Sequence, residues 1–218
     1  MTSKLLNIPD LHLDETIKRY IKESDEIIIV VSFILESGLN LILQELKEFS
    51  LKNKLKIITS NYLCCTEPDS LRKLLDLKSS GAEIFLFDSI KSNKSFHIKS
   101  YYFSNSSKEF SKCIVGSSNI SLTAFKKGYE FNAEIEDKNF INDFKIKLKE
   151  IQSNPYTFEL TEQIIKDYEE HYDKNKNFIL SGEEEGKGIS EAPNEVEPSD
   201  IAEISYKGPN IAQQEALG

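Results

Sequence analysis

Apolar residues recur at two different spacings along this chain, and the alternation between them outlines a fold. "LDETIKRYIKESD" places Ile17, Tyr20 and Ile21 at helical spacing. "EIIIVVSFI" follows as a continuous β-branched run, the pattern of a strand buried on both faces. "SGLNLILQELKEFSLKN" returns to the helical period, with Leu39, Ile42, Leu43 and Leu46 on one side and charges opposite. "LKIITS" is a second buried-type strand. "TEPDSLRKLLDLKSSGAE" has Pro68 early and Gly81 past the end, as a helix prefers, and "EIFLFD" is a third strand. Strand and helix alternate over this first part, which implies a mostly parallel sheet covered by helices.

The pattern then changes. "HIKSYYFS" and "FSKCIVGSS" are strand-like and close together, and the turn-rich "NSSKE" between them predicts an antiparallel hairpin. "YEFNAEIED" reads as another strand. "FINDFKIKLKEIQSN" and "TEQIIKDYEEHYDKNK" read as two helices separated at Asn154-Pro155. From Ser181 the chain is acidic, rich in Gly, Pro and Ser, and reads as a linker. The expected fold is therefore α/β: a mixed, mostly parallel β-sheet flanked by helices over residues 1–180, with C-terminal helices and an extended acidic tail over 181–218. There is no internal repeat.

Charge changes this picture in one respect. The net charge of −9 argues against a broad nucleic-acid surface. Nine acids and two lysines from Ser181 onward carry −7 of it, however, which leaves the rest at −2. A near-neutral body still has room for a local basic cleft. No apolar run is long enough to span a bilayer, and "MTSKLLNIPD" lacks the basic and apolar regions of a signal peptide. Cys64, Cys65 and Cys113 are an odd count, and an adjacent pair makes neither a disulfide framework nor a zinc knuckle. Reduced packing thiols in the cytoplasm are the expectation.

The chemistry gathers around His97. On a strand, His97 and Lys99 point to one face while Ile98 points to the other. An imidazole and an ammonium side by side repel when both are charged, and an anion between them favours the pair. "IVGSSN" ends a hydrophobic strand with small residues: Gly116 permits close backbone approach, and Ser117 and Asn119 offer hydrogen-bond donors. Glu130 is placed to accept the second N–H of a histidine. Taken singly, each of these has an ordinary reading as a satisfied strand histidine, turn residues or a surface carboxylate. Together they suit a phosphate. His12 and His171 have no such company and read as a capping-region residue and a solvent-facing helix residue.

"FHIKSYYF", "CIVGSSNIS" and "YEFNAEIE" together resemble the phospholipase D superfamily, whose signature is His-x-Lys followed by Gly-Ser-x-Asn. In particular they resemble the nuclease-type domain at the N-terminus of some bacterial superfamily-2 helicases. The likeness runs from about Asp25 to Asp137, and the terminal "PNIAQQEALG" is similar to the entry into such a helicase motor. No Walker-type nucleotide-binding loop is present. The resemblance implies hydrolysis of phosphodiesters without metal or cofactor, ATP and Mg serving only the absent motor. It implies His97 as nucleophile or acid, Lys99 and Asn119 as phosphate ligands, Ser117 as hydroxyl donor and Glu130 as orienter of His97. Lys91, Lys94 and Ser118 are expected along the nucleic acid. Family chemistry takes two copies of the motif and this chain has one, so a homodimer is expected to act on DNA, with no membrane partner, in repair or defence. One position departs from the pattern: Ser104 stands where the family motif has Asp. That departure favours the alternative, a catalytically silent nucleic-acid-binding or dimerisation module.

Overall fold

The computed structural model describes the backbone of residues 3–8 and 10–185 and the side chains of those through residue 174. The helix Glu162–Glu185 takes in the first five residues of the stretch expected as an acidic linker from Ser181; the rest of that stretch and the helicase-like terminal stretch lie outside the described residues.

Eight strands form one sheet in the order β1-β7-β6-β5-β2-β3-β4-β8. The chain enters through β1 (Ser3–Ile8) and α1 (Leu13–Glu23), then alternates β2 (Glu26–Val31), α2 (Glu36–Ser50), β3 (Lys54–Ser60), α3 (Pro68–Lys78) and β4 (Glu83–Phe87). A short 3-10 turn, Tyr62–Cys64, follows β3, and a single-turn α4 (Ser89–Ser92) follows β4. The hairpin β5 (Lys99–Asn105) and β6 (Phe110–Gly116) comes next, then α5 (Leu122–Lys126), β7 (Glu130–Ile135), α6 (Lys138–Gln152), β8 (Thr157–Glu159) and α7 (Glu162–Glu185).

The sheet is mixed and flanked by helices, as the sequence implies. The expectation of a mostly parallel sheet is corrected. Only β2-β3 and β3-β4 are parallel, and the other pairings are antiparallel. A parallel pair needs a crossover of a dozen or more residues, usually a helix. After β4 the connections into the hairpin and β7 hold only α4 and α5, both too short for that. β1 and β8 pair at the two edges and are additional to the strands expected from sequence.

Both faces of β2 are covered, which explains its unbroken apolar run. Ile27, Ile29 and Val31 pack with Tyr101, Phe103 and Ile114 against Ile17, Leu39, Ile42, Leu71 and Leu74 of α1, α2 and α3. Ile28 and Val30 face the other way, with Ile58, Tyr102 and Cys113, and are covered by Ile141 and Leu148 of α6. Burial pushes the Cys113 thiol up to about 12, so it stays protonated and acts as packing. A single helix leaves the outer strands β6, β7 and β1 less covered on this face than on the other. Leu5 and Phe131 are 64% and 66% exposed there.

Candidate active site

Register assembles the site from segments far apart in sequence. Val31 pairs with Lys99, Ser100 with Val115, Gly116 with Asn132, and Ile8 with Glu130. The ends of β2 and β6 and the starts of β5 and β7 therefore lie together at one end of the strands. The parallel strands β3 and β4 finish at the same end, where open α/β sheets take their ligands.

His97 sits in the extended segment just before β5 and is exposed, while Lys99, the first residue of β5, is 7% exposed. The two side chains meet: Lys99 Nζ lies 3.0 Å from both His97 Nδ1 and Nε2. The Tyr62 ring stands edge-on to the imidazole, with centroids 6.2 Å apart and planes at 80°. Behind His97, Phe96 stacks on Phe87 at 5.0 Å. Its carbonyl accepts the Ser32 hydroxyl at 2.6 Å. Ser60 donates in turn to the Ser32 carbonyl at 2.7 Å, and Thr66 to the Ser60 carbonyl at 2.6 Å. Three hydroxyls, one at the end of β3 and one in each of the loops after β2 and β3, thus hold the segment that carries the histidine. Sequence reasoning passed over them. Their signal was a serine closing each apolar run, in "VVSF" and "ITSN".

The Gly-Ser-Ser-Asn turn is shaped by close contacts. A Cβ on Gly116 would lie 2.3 Å from the Phe131 carbonyl oxygen and 2.4 Å from Asn132 Oδ1. Ser117 is exposed and donates its hydroxyl to Glu130 Oε2, while the Phe131 N–H donates to Ser117 Oγ at 3.2 Å. Asn119 is 4% exposed, and its Oδ1 accepts the Phe33 N–H at 3.2 Å, which fixes the amide plane. Ser118 corrects an expectation: it is fully buried and does not face a ligand surface. Its hydroxyl accepts from Asn132 Nδ2 at 2.9 Å, and its carbonyl accepts the Tyr101 hydroxyl at 2.9 Å. Burial, with the Glu130 charge added, pushes the Tyr101 phenol well above its ordinary range, so it remains a donor. Asn132 and Tyr101 support the turn, and Asn132 was missed from sequence.

Gly38 brings α2 onto this loop. A Cβ there would lie 2.3 Å from Ser121 Cα and N and 2.6 Å from the Ile120 carbonyl carbon. Ser121 caps α5 through the Ala124 N–H at 3.1 Å, and Lys126 of α5 pairs with the buried Asp14 of α1 at 3.3 Å. Two helices thereby clamp the stretch that presents Asn119.

The remaining candidates are placed as follows. Lys94 is exposed, and Lys91, also exposed, pairs with Asp88 at 3.1 Å. His12 is exposed and pairs with Glu15 at 3.4 Å, and His171 is exposed on α7. Ser104 lies at the opposite end of β5 from His97. Five residues of strand put its Cα about 16 Å from that of Lys99, and its hydroxyl donates to Glu26 at 3.3 Å. The position where the family motif has Asp is therefore remote from the imidazole. Among the described residues, no group of three or more His, Cys, Asp or Glu side chains is arranged to hold a metal ion. No described helix is long and apolar enough to cross a membrane.

The mixed α/β sheet thus carries a histidine–lysine pair, a small-residue turn and a carboxylate at one end of its strands. The family described as "Cardiolipin synthase, PLD-like domain" matches residues 17–152, and the chain belongs to this phospholipase D-like family. Among solved structures, NucT from Helicobacter pylori is similar with a TM-score of 0.58 at 17% identity, over 73% of this chain and 99% of that one. Nuc from Salmonella typhimurium, a phospholipase D family member, gives 0.57 at 14% identity, over 73% and 97%. Polyphosphate kinase from Porphyromonas gingivalis gives 0.54 at 13% identity, over 71% of this chain and 26% of that one. No curated protein sequence matches. At these identities the structural likeness speaks for the fold alone, and the family match places the chain among phospholipase D-like domains.

Proposed function

We propose that this chain is a nuclease module that cleaves DNA phosphodiesters without a metal, through a phosphohistidine, in an active site shared by two copies of the chain. The observation that carries the reading is the contact of the Lys99 ammonium with the His97 imidazole at this end of the strands. In the proposed reaction a His97 ring nitrogen attacks phosphorus; the P–N bond forms as the bond to the leaving oxygen breaks. The partner subunit's His97 gives its proton to that oxygen. It then takes a proton from water, which attacks phosphorus and releases the first imidazole. Lys99 and the Asn119 amide stabilise the oxygens as charge develops, and Glu130 holds His97 in orientation with Ser117 bridging to the turn. Lys91 and Lys94 guide the backbone.

Two features support the shared site. The chain carries one His-x-Lys, and apolar side chains are exposed on β7, the strand that Glu130 begins. Phe131 of β7 is 66% exposed, Leu5 of the neighbouring β1 64%, and Tyr129, just ahead of β7, 95%. A second copy seated on this patch would cover it. We also propose that the module is cytoplasmic and is joined through the acidic linker of residues 181–218 to a helicase motor, on the resemblance of "PNIAQQEALG" to a motor entry.

Cleavage of an end-labelled DNA in excess EDTA tests the metal-free chemistry. The rate is expected to stay within about twofold of the rate without chelator, against the losses of a hundredfold or more that follow removal of a group that carries chemistry. Abolition by EDTA, restored by added divalent metal, would overturn the reading.

A further inference from the structure

His97 is exposed on an extended segment, and attack on phosphorus needs its ring held in one plane. Lys99 Nζ stands 3.0 Å from both ring nitrogens. A compact ammonium at equal distances from the two acts as a point charge and sets no direction for the ring plane. A flat neighbour does. The Tyr62 ring meets the imidazole at 80°, with centroids 6.2 Å apart, the edge-to-face arrangement that aromatic pairs prefer.

Tyr62 is itself kept in register with His97. Its N–H donates to Ser60 Oγ at 3.2 Å. The same Ser60 hydroxyl donates to the Ser32 carbonyl at 2.7 Å. Ser32 in turn donates to the carbonyl of Phe96, the residue before His97, at 2.6 Å. Two serines therefore tie the backbone under one ring to the backbone under the other. Half-buried Tyr62 also packs against the apolar cluster that contains Phe87 and Phe96.

Directly after Tyr62 the backbone is strained. Leu63 has φ 52° and Cys64 φ 55°. These left-handed values press Cβ toward the following carbonyl oxygen, and residues with side chains adopt them rarely. Among the described residues, no other two consecutive non-glycine residues share this conformation. The turn is pinned on both sides. The Cys64 N–H donates to the Asn61 carbonyl at 3.1 Å and the Cys65 N–H to the Tyr62 carbonyl at 3.2 Å. The Thr66 hydroxyl donates to the Ser60 carbonyl at 2.6 Å, and the Tyr168 hydroxyl to the Thr66 carbonyl at 2.7 Å. Strain of this kind lasts only where the surroundings over-determine it, and it gathers at reacting centres. An aromatic that only filled space could be presented by relaxed backbone.

We infer that Tyr62 is a positioning residue: aimed by the strained turn at Leu63 and Cys64, its ring fixes the plane of the His97 imidazole and so the direction in which a ring nitrogen meets phosphorus. The inference rests on the nuclease reading and adds to it a residue outside the His-x-Lys and Gly-Ser-x-Asn motifs. Tyr62 acts through His97 and performs no chemistry of its own. The ring carries the effect, and the hydroxyl does not.

The test compares Tyr62→Leu and Tyr62→Phe with the natural chain in three readouts. These are kcat and KM on end-labelled DNA, thermal unfolding, and carbon relaxation of the imidazole rings, of which the chain has only three. Tyr62→Leu is expected to lower kcat by about ten- to a hundredfold, the scale of a misplaced reacting group, with KM within about threefold. The order parameter of the His97 ring is expected to fall from the rigid range, about 0.85, to below about 0.6. Tyr62→Phe is expected to restore both. Leucine that keeps kcat within about threefold and the ring ordered overturns the inference. So does a loss that phenylalanine leaves unrestored, or one that only follows the folded fraction. Should Tyr62→Leu fail to fold, Leu63→Gly decides, because it frees the turn and keeps the tyrosine. A melting temperature held with kcat down at least about threefold supports the inference, and one held with kcat unchanged overturns it. The two readings fail separately. No cleavage by the natural chain, with His97 ordered by tyrosine and phenylalanine and loosened by leucine, removes the nuclease and leaves the positioning. Cleavage with no such loosening removes the positioning and leaves the nuclease.

Discussion

The His97→Ala chain is expected to lose phosphodiester cleavage by at least about a thousandfold, well beyond what removal of a positioning contact brings. His97 is exposed, and its replacement should move stability by no more than about 0.5 kcal/mol. The pairing of these outcomes is the informative part. A structural histidine packed behind Tyr62 would give the reverse, a fall in melting temperature with activity kept in proportion to the folded fraction. Rates on labelled DNA together with a thermal unfolding curve distinguish the two. Residual cleavage within about tenfold of the natural chain would remove His97 from the chemistry, because loss of a general acid or base alone brings about a hundredfold or more.

Gly38→Ala is expected to destabilise the protein by about 2–3 kcal/mol, although helix propensity alone predicts a gain of about 1 kcal/mol. The two effects compete at one position, and the contact distances decide between them. The added methyl would stand 2.3 Å from backbone atoms of Ser121, and backbone cannot rotate aside as a side chain does. α2 has to lift from the loop. For a domain of this size the melting temperature should fall by roughly 4–12 °C. Because the loop also presents Asn119, cleavage by the folded fraction should fall as well. A melting temperature that rises would show that α2 and the loop are not in the contact described.

The parts legible in the sequence are those whose physics is local. Continuous runs such as "EIIIVVSFI" announce strands covered on both faces, and β2, β3 and β4 follow them. β8 has three residues and α5 has five, too short for any period to show. The parallel majority failed for the same reason, since direction after β4 depends on crossover length and on pairing partners. At the site, His97, Lys99, Ser117, Asn119 and Glu130 stand out as a spaced motif. The frame that holds them does not. Ser32 finds its partner in the Phe96 carbonyl, 64 residues away, and nothing in "VVSF" names that partner. Gly38 left a readable trace, a glycine early in a helix where alanine is preferred. Ser104 was readable as a departure from the motif, but its distance from His97 follows only from the direction of β5.

The central claim is that two chains supply one reacting centre, and the stoichiometry of the trapped intermediate tests it most directly. The chain is mixed with a DNA substrate, quenched in alkali within a turnover, and digested for mass spectrometry with quantified phosphohistidine. In a shared site one imidazole attacks while the other handles the proton, so about one covalent phosphoryl adduct for every two chains is expected, all of it on His97. An adduct on every chain, on another residue, or on none while cleavage proceeds would contradict the account.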